Sequence, residues 1–313
     1  MRDALIADLS ALDDIEVVST VDARLEAGSL ASLSVRPISA SDNPIEIWQS
    51  LIKTCDAALI VAPESDGVLS KLTQMVEASG VINLGCAQHS VDVASNKYDT
   101  FIRLKSVGID TIPTMKAGEF LMLGFNEASS SSSGYVLKPI DGAGCEQMMI
   151  FKDQASARDW LRLAVHQHQH YIVQAFHTGV PASMSILCRD GLAWLLSCNQ
   201  QEMGIEDTQH MKLLGIIVNG LSAYRADFKR LADRIAAAMP TLNGYVGVDV
   251  ILNGNELIVV EINPRITSSY IALNESLGTN PMCMMLDLAD AKKTTFTLPK
   301  KMLHHSVSLR FNA

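Results

Sequence analysis

The sequence predicts an α/β fold that passes into an α+β second half, and three observations carry that prediction. Short apolar strands alternate with amphipathic helices over residues 15–106, the order of a doubly wound sheet. Strand-like segments then crowd together over residues 135–198 with few helices between them. Finally, residues 246–252, a turn at Asn253-Gly254-Asn255 and residues 257–263 read as one long hairpin. The 313 residues are 48% hydrophobic and 19% charged, which supplies a sizeable core for one large or two to three smaller domains.

Leu5, Leu9 and Leu12 recur at helical spacing, and residues 15–21 follow as a strand. A helix over 48–54 leads to residues 57–62, a continuous apolar strand of the kind buried in parallel sheets. An amphipathic helix over 68–78, a strand at 81–84 and a helix over 95–106 come next. Ser95 is the expected N-cap of that last helix and Gly108 its stop. The chain opens on a helix where a doubly wound unit opens on a strand. Met1 is therefore expected to be an internal methionine of a longer protein, or the first strand to be missing.

Ser129 to Ser133 form a run of five serines, read as a flexible loop. Strands are expected at 135–140, 148–151, 171–176, 184–188 and 192–198, and helices at 155–168 and 228–239. From Asn280 onward no clear pattern emerges.

A net charge of -9 excludes a dense Lys/Arg surface for nucleic acid, so cations that meet an anionic ligand must be local. The six cysteines show neither Cys-x-x-Cys pairs nor metal-ligand spacing and are expected to be thiols in a reducing compartment. No apolar run reaches the roughly 18 residues that span a bilayer, and the first residues are acidic and amphipathic rather than a leader. A cytoplasmic protein without membrane partners is expected.

The chemistry is concentrated in the hairpin. Glu261 and Asn263 stand two residues apart and so share a face, while Asp249 faces them from the neighbouring strand. Two carboxylates and an amide oxygen form a hard-cation site suited to Mg²⁺, with Mn²⁺ an alternative. Arg265, just beyond Pro264, can grip a planar anion with two hydrogen bonds. Lys138 ends a strand directly before the loop Asp141-Gly142-Ala143-Gly144, whose glycines allow close backbone approach to phosphates. As a dinucleotide fingerprint this loop fails, because Gln147 occupies the third glycine position and a strand follows; no Walker-type loop occurs either. Lys97 heads the helix before Gly108-Ile109-Asp110-Thr111-Ile112-Pro113.

Lys97, Lys138, the glycine loop and the Asp249/Glu261/Asn263 hairpin, in that order, resemble the ATP-grasp superfamily over about residues 95–277. The resemblance implies an ATP-grasp fold in three parts: an N-terminal α/β pre-ATP-grasp domain of Rossmann type at 1–94, a small lobe at 95–171, and a large lobe with the metal site at 172–313. It places Lys97 and Lys138 on nucleotide phosphates beneath the loop of Gly142 and Gly144. Adenine contacts fall on Gln174 or the backbone near Phe176, and Mg²⁺ on Asp249, Glu261 and Asn263. Where many members carry an acid for the ribose, this chain reads Val180-Pro181-Ala182, which leaves that contact unassigned. Within the superfamily, residues 261–269 and the short N-terminal region are most similar to small-molecule amide ligases, the tyramine–glutamate ligase group of methanofuran-type cofactor synthesis.

What this implies is ATP-dependent joining of a small carboxylate to an amine through an acylphosphate, with Arg265 and Lys138 as catalytic residues. An ATP-grasp carboxylase or carboxylate kinase, and a non-catalytic ATP-binding regulatory module, remain as alternatives. Ser268 and Ser269 are candidate anion donors or plain loop residues, and Lys212 is a further phosphate contact or a solvated lysine. His166, His168 and His170 read as a solvated helix end rather than a metal site. Met282, Met284 and Met285 read as core or as contact in a homo-oligomer. Replacing Glu261 by alanine is expected to abolish ATP turnover and leave the fold intact.

Overall fold

The computed structural model describes residues 1–25, 34–125, 134–144, 147–163, 170–205 and 210–311. The serine run, Cys145 and the histidines at 166 and 168 lie outside the described residues. The N-terminal region comprises α1 (Arg2–Ser10), β1 (Val18–Asp22), β2 (Ser34–Ile38), α2 (Pro44–Ile52), β3 (Ala57–Ala58), α3 (Val68–Ser79), β4 (Ile82–Asn83), α4 (Gln88–Ser95) and α5 (Lys97–Ser106). Its strands pair in parallel, β1 with β2 and β3 with β4, as α/β alternation requires. The cap of α5 is Asn96, whose side chain accepts from the Tyr98 and Asp99 amides; Ser95, the expected cap, instead ends α4. Two short helices replace the single start expected there.

The next segment builds β5 (Thr114–Lys116), α6 (Ala117–Met122), β6 (Tyr135–Pro139), β7 (Met149–Phe151), α7 (Gln154–Leu163) and β8 (Tyr171–Ala175). These strands form a sheet of order β5-β8-β6-β7 over a core of Phe120, Leu137, Leu161 and Val173. Since β8 is hydrogen-bonded between β5 and β6, a boundary at 171/172 would split a strand from its sheet, and we propose that the small lobe runs through Ala175.

The remainder contains β9 (Val180–Arg189), β10 (Leu192–Ile205), β11 (Met211–Val218), α8 (Arg225–Ala238), β12 (Gly244–Asn253), β13 (Glu256–Asn263), α9 (Leu273–Leu277), α10 (Pro281–Ala289) and β14 (Val307–Arg310). Its six-stranded sheet has the order β13-β12-β9-β10-β11-β14. One face packs Ile186, Val246, Val248 and Ile262 against Phe228, Leu231 and Ile235 of α8. On the other, Leu187, Leu196 and Tyr245 meet Tyr270, Met282, Met284 and Met285. The methionines are therefore core.

α1 packs on this C-terminal face, not on β1 and β2. Asp8 is buried there and accepts hydrogen bonds from Tyr270 Oη at 2.8 Å and Asn274 Nδ2 at 2.5 Å. Among the described residues Cys55, Cys86, Cys188, Cys198 and Cys283 are free thiols, and no helix is long and apolar enough to cross a membrane.

Candidate functional site

β12 and β13 pair antiparallel with Asp249 opposite Glu261 and Gly247 opposite Asn263. Strict alternation would put Glu261 on the same face as Val259, inside the apolar core. A register shift prevents this: Asp249 pairs with Glu261 but Val250 with Val259, so Val260 is the extra residue of a β-bulge. That one residue turns Glu261 and Asn263 towards Asp249 while Val259 and Ile262 stay in the core. Asn263 Nδ2 donates to Asp249 Oδ2 at 3.0 Å, and Gln201 Nε2, from β10, donates to Oδ1 at 2.8 Å.

Both predicted lysines converge on this pair of strands. Lys138 Nζ lies 3.1 Å from Glu261 Oε2 and Lys97 Nζ 4.0 Å from the same atom. Lys97, 8% exposed, also donates to Gly142 O at 3.1 Å, which ties it to the glycine loop. Gly142 adopts φ +106°, a conformation side chains disfavour. The start of α5 is anchored to the end of β6 by Lys97 N donating to Ile140 O at 2.9 Å. Residues 110–112 hydrogen-bond to Val259 of β13, so the Gly-Ile-x-x-Ile-Pro segment seats α5 beside the hairpin.

The electrostatics follow from placing four charged groups in so little water. Burial works against ionisation of Glu261, but the Lys138 and Lys97 ammonium groups more than offset it and hold the carboxyl below the usual carboxylate range. Burial, and then the Glu261 charge, push Asp249 up. The facing pair therefore divides its character, Asp249 held towards the protonated form and Glu261 towards the ionised one. Burial lowers Lys97, with Glu261 pulling the other way.

This donor set fits a divalent cation. Asp249, which burial and the Glu261 charge hold towards its protonated form, would give up that proton to a divalent ion, and Asn263 adds a neutral oxygen. Oxygen-only ligands suit Mg²⁺.

Other predicted residues are more engaged. Gln174 is buried and donates through Nε2 to Thr114 Oγ1 at 2.9 Å, while Phe176 N donates to Gly134 O at 2.8 Å. Gly144 has open space where a side chain would stand. Ser269 is buried in a hydroxyl cluster with Ser185, Tyr245 and Thr267, at 2.9–3.1 Å, rather than facing an anion. Lys212 lies on β11 opposite Gly204, and His170 O accepts from Ile140 N.

Three features escape sequence reasoning. The Val260 bulge has no local signature. Gln201 lies on a strand expected to end at residue 198 that runs to Ile205. Glu64 follows the apolar run ending at Ala62, crosses to the large lobe and places Oε1 2.8 Å from Arg265 Nε. A signal existed there: Pro63-Glu64-Ser65-Asp66-Gly67 is a turn at the carboxyl end of a parallel strand, where α/β sheets bind ligands.

Comparison with known proteins shows the family and the fold. Residues 94–269 match the family described as the ATP-grasp domain, and residues 15–91 the pre ATP-grasp 3 domain. The chain is 28% identical over 273 residues to tyramine–L-glutamate ligase of Methanocaldococcus jannaschii, covering 87% of this chain and 74% of that protein. With the enzyme of the same name from Methanocaldococcus fervens it shares 28% over 242 residues, 77% and 68% of the two chains. Among solved structures, the biotin carboxylase domain of Hydrogenobacter thermophilus 2-oxoglutarate carboxylase, in complex with MgADP, ADP and bicarbonate, superposes with a TM-score of 0.78 at 12% identity, covering 98% of this chain and 71% of that one. L-amino acid ligase from Bacillus licheniformis gives 0.67 at 16% identity over 92% and 71%. These two structures share the fold.

Proposed function

Because this chain belongs to the ATP-grasp family and is an ATP-dependent C–N ligase, we propose that it joins a small carboxylic acid to an amine through an acylphosphate, with glutamate as the acid and tyramine or a similar arylalkylamine as the partner. The observation that carries the reading is the convergence of Lys97 and Lys138 on Glu261, register-paired with Asp249. Two buried ammonium groups beside a carboxylate pair form a cradle for phosphate oxygens and a divalent ion. The substrate choice is supported by the two methanogen relatives.

In this mechanism a carboxylate oxygen of the acid bonds to the γ-phosphorus, the bond to the bridging oxygen of ADP breaks, and an acylphosphate forms. The amine nitrogen then bonds to the acyl carbon, inorganic phosphate leaves with the C–O electron pair, and the amine proton is lost. Lys138 and Lys97 neutralise the phosphoryl oxygens, and Lys97 holds the glycine loop through Gly142 O. Asp249, Glu261 and Asn263 would hold Mg²⁺, which would supply neutralisation of phosphate charge. Neither step demands a dedicated acid–base pair, since phosphate is a good leaving group and the work is positioning. Incubation with Mg·ATP, glutamate and amines including tyramine tests the reading: ADP should appear with a product of mass acid plus amine minus water. ADP without condensation for any amine would refute it.

A further inference from the structure

The ligase chemistry uses Lys97, Lys138 and the hairpin, and leaves one buried charged group unexplained. Glu64 is 3% exposed and belongs to the N-terminal region, yet its carboxylate reaches Arg265 of the large lobe. The contact is close but off the hydrogen-bond axis. Arg265 Nε and both Glu64 oxygens are fully buried without an aligned partner. The guanidinium makes one described hydrogen bond, from Nη1 to Ile266 O at 3.1 Å. A buried carboxylate with no aligned donor is unusual and expensive, and such a group calls for a ligand that supplies donors.

The surroundings say which ligand. Arg265 stands two residues beyond Asn263, and its N donates to Asn263 O at 2.8 Å, so the Glu64–Arg265 pair adjoins the hairpin that carries the metal ligands. The neighbouring Asp66 N donates to Asp141 Oδ2 at 3.1 Å, which seats this loop against the glycine loop. A fixed anion beside a fixed cation is the complement of a zwitterion. We propose that Glu64 and Arg265 form the head-group site for the α-ammonium and α-carboxylate of an amino-acid substrate. Three ammonium donors satisfy the Glu64 oxygens, and the guanidinium grips the carboxylate with two parallel hydrogen bonds. Without substrate the two side chains neutralise each other. The attacking amine is a poor occupant, because it must be uncharged to react and a buried carboxylate would hold it protonated. The word substrate rests on the ligase reading; the site itself is tested by binding alone.

Calorimetric titration of the full chain with Mg·ADP, using L-glutamate and glutarate as probes, separates the ammonium from the rest of the ligand. Wild type should bind glutamate about 10-fold or more tighter than glutarate. Glu64→Gln should bring that ratio close to one by weakening glutamate alone, and Glu64→Asp should restore part of it. Equal binding of both probes by wild type, binding of neither, or equal weakening of both in Glu64→Gln would overturn the site. Retained Mg·ADP binding shows that each variant is folded. Discrimination dependent on Glu64 in a protein that makes no amide keeps the site and sinks the ligase reading. Amide formation with no such dependence does the reverse.

Discussion

Glu261→Gln removes the counter-ion of two buried lysines at once, and the consequence for stability can be worked from the distances. Oε2 lies 3.1 Å from Lys138 Nζ and 4.0 Å from Lys97 Nζ. At an effective dielectric of about 20, those contacts are worth roughly 5 and 4 kcal/mol before any cost is subtracted. Lysine–lysine repulsion and the desolvation of the carboxylate consume much of that, and breaking a buried pair typically costs about 3–5 kcal/mol. Asp249 recovers part of the loss: its pKa is raised by burial and by Glu261, so removing Glu261 lets it ionise nearby. A net loss of about 2–4 kcal/mol follows, a fall in Tm of roughly 3–6 °C for a protein of this size. Thermal and guanidinium unfolding of the metal-free protein measure it. The double variant Glu261→Gln/Lys138→Met, which removes the stranded charge, should regain about half of the deficit. A single variant within about 1 °C of wild type, or a double variant no more stable than the single, would refute the charge account. The variant should stay folded at this lower stability while ADP formation falls.

Lys138→Met should lower kcat/KM for ATP by about 100-fold or more, and Lys97→Met comparably, in steady-state ADP release. Asp249 has a folded pKa above its unfolded one, so the metal-free protein binds more protons than the unfolded chain and loses stability as pH rises from the ordinary carboxylate range towards that raised value. Mg²⁺ competes with protonation of Asp249, so the rise in Tm that it produces should be larger at pH 8 than at pH 5; equal rises at both would contradict a metal site at Asp249. Asp8→Ala strands Tyr270 Oη and Asn274 Nδ2 in the interior and should cost about 2–4 kcal/mol in chemical denaturation; a change under about 0.5 kcal/mol would show that α1 adds little to the C-terminal face.

Much of the site was legible because its residues lie on elements whose pattern is strong. The apolar runs on either side of Asp249 and Glu261 announce a buried hairpin, and buried acids announce partners. Lys97 was legible as a helix head, although its cap is Asn96: both residues carry capping side chains, and only the tertiary position of α4 decides between them. The aim of Glu261 was not legible in detail. Alternation from Val259 points it into the core, and only the bulge corrects this, through pairing that no local window contains. Glu64 was missed for a related reason: its turn at the end of a parallel strand marks a ligand-facing edge, but its partner lies 201 positions away in the numbering. β2, β11 and β14 escaped because Ser34–Ile38 and Val307–Arg310 are short, half-exposed edge or near-edge strands with little alternation, and Met211–Val218 mixes Lys and Gly with its apolar residues.

The central claim is that ATP activates a substrate carboxylate for capture by an amine. Glutamate carrying ¹⁸O in its carboxylates, incubated with Mg·ATP, tyramine and the protein, tests it most directly. One ¹⁸O should appear in the released phosphate for each amide formed, because the carboxylate oxygen that attacks phosphorus leaves with it. Amide formation with unlabelled phosphate, or phosphate release with its new oxygen drawn from water, would contradict the account.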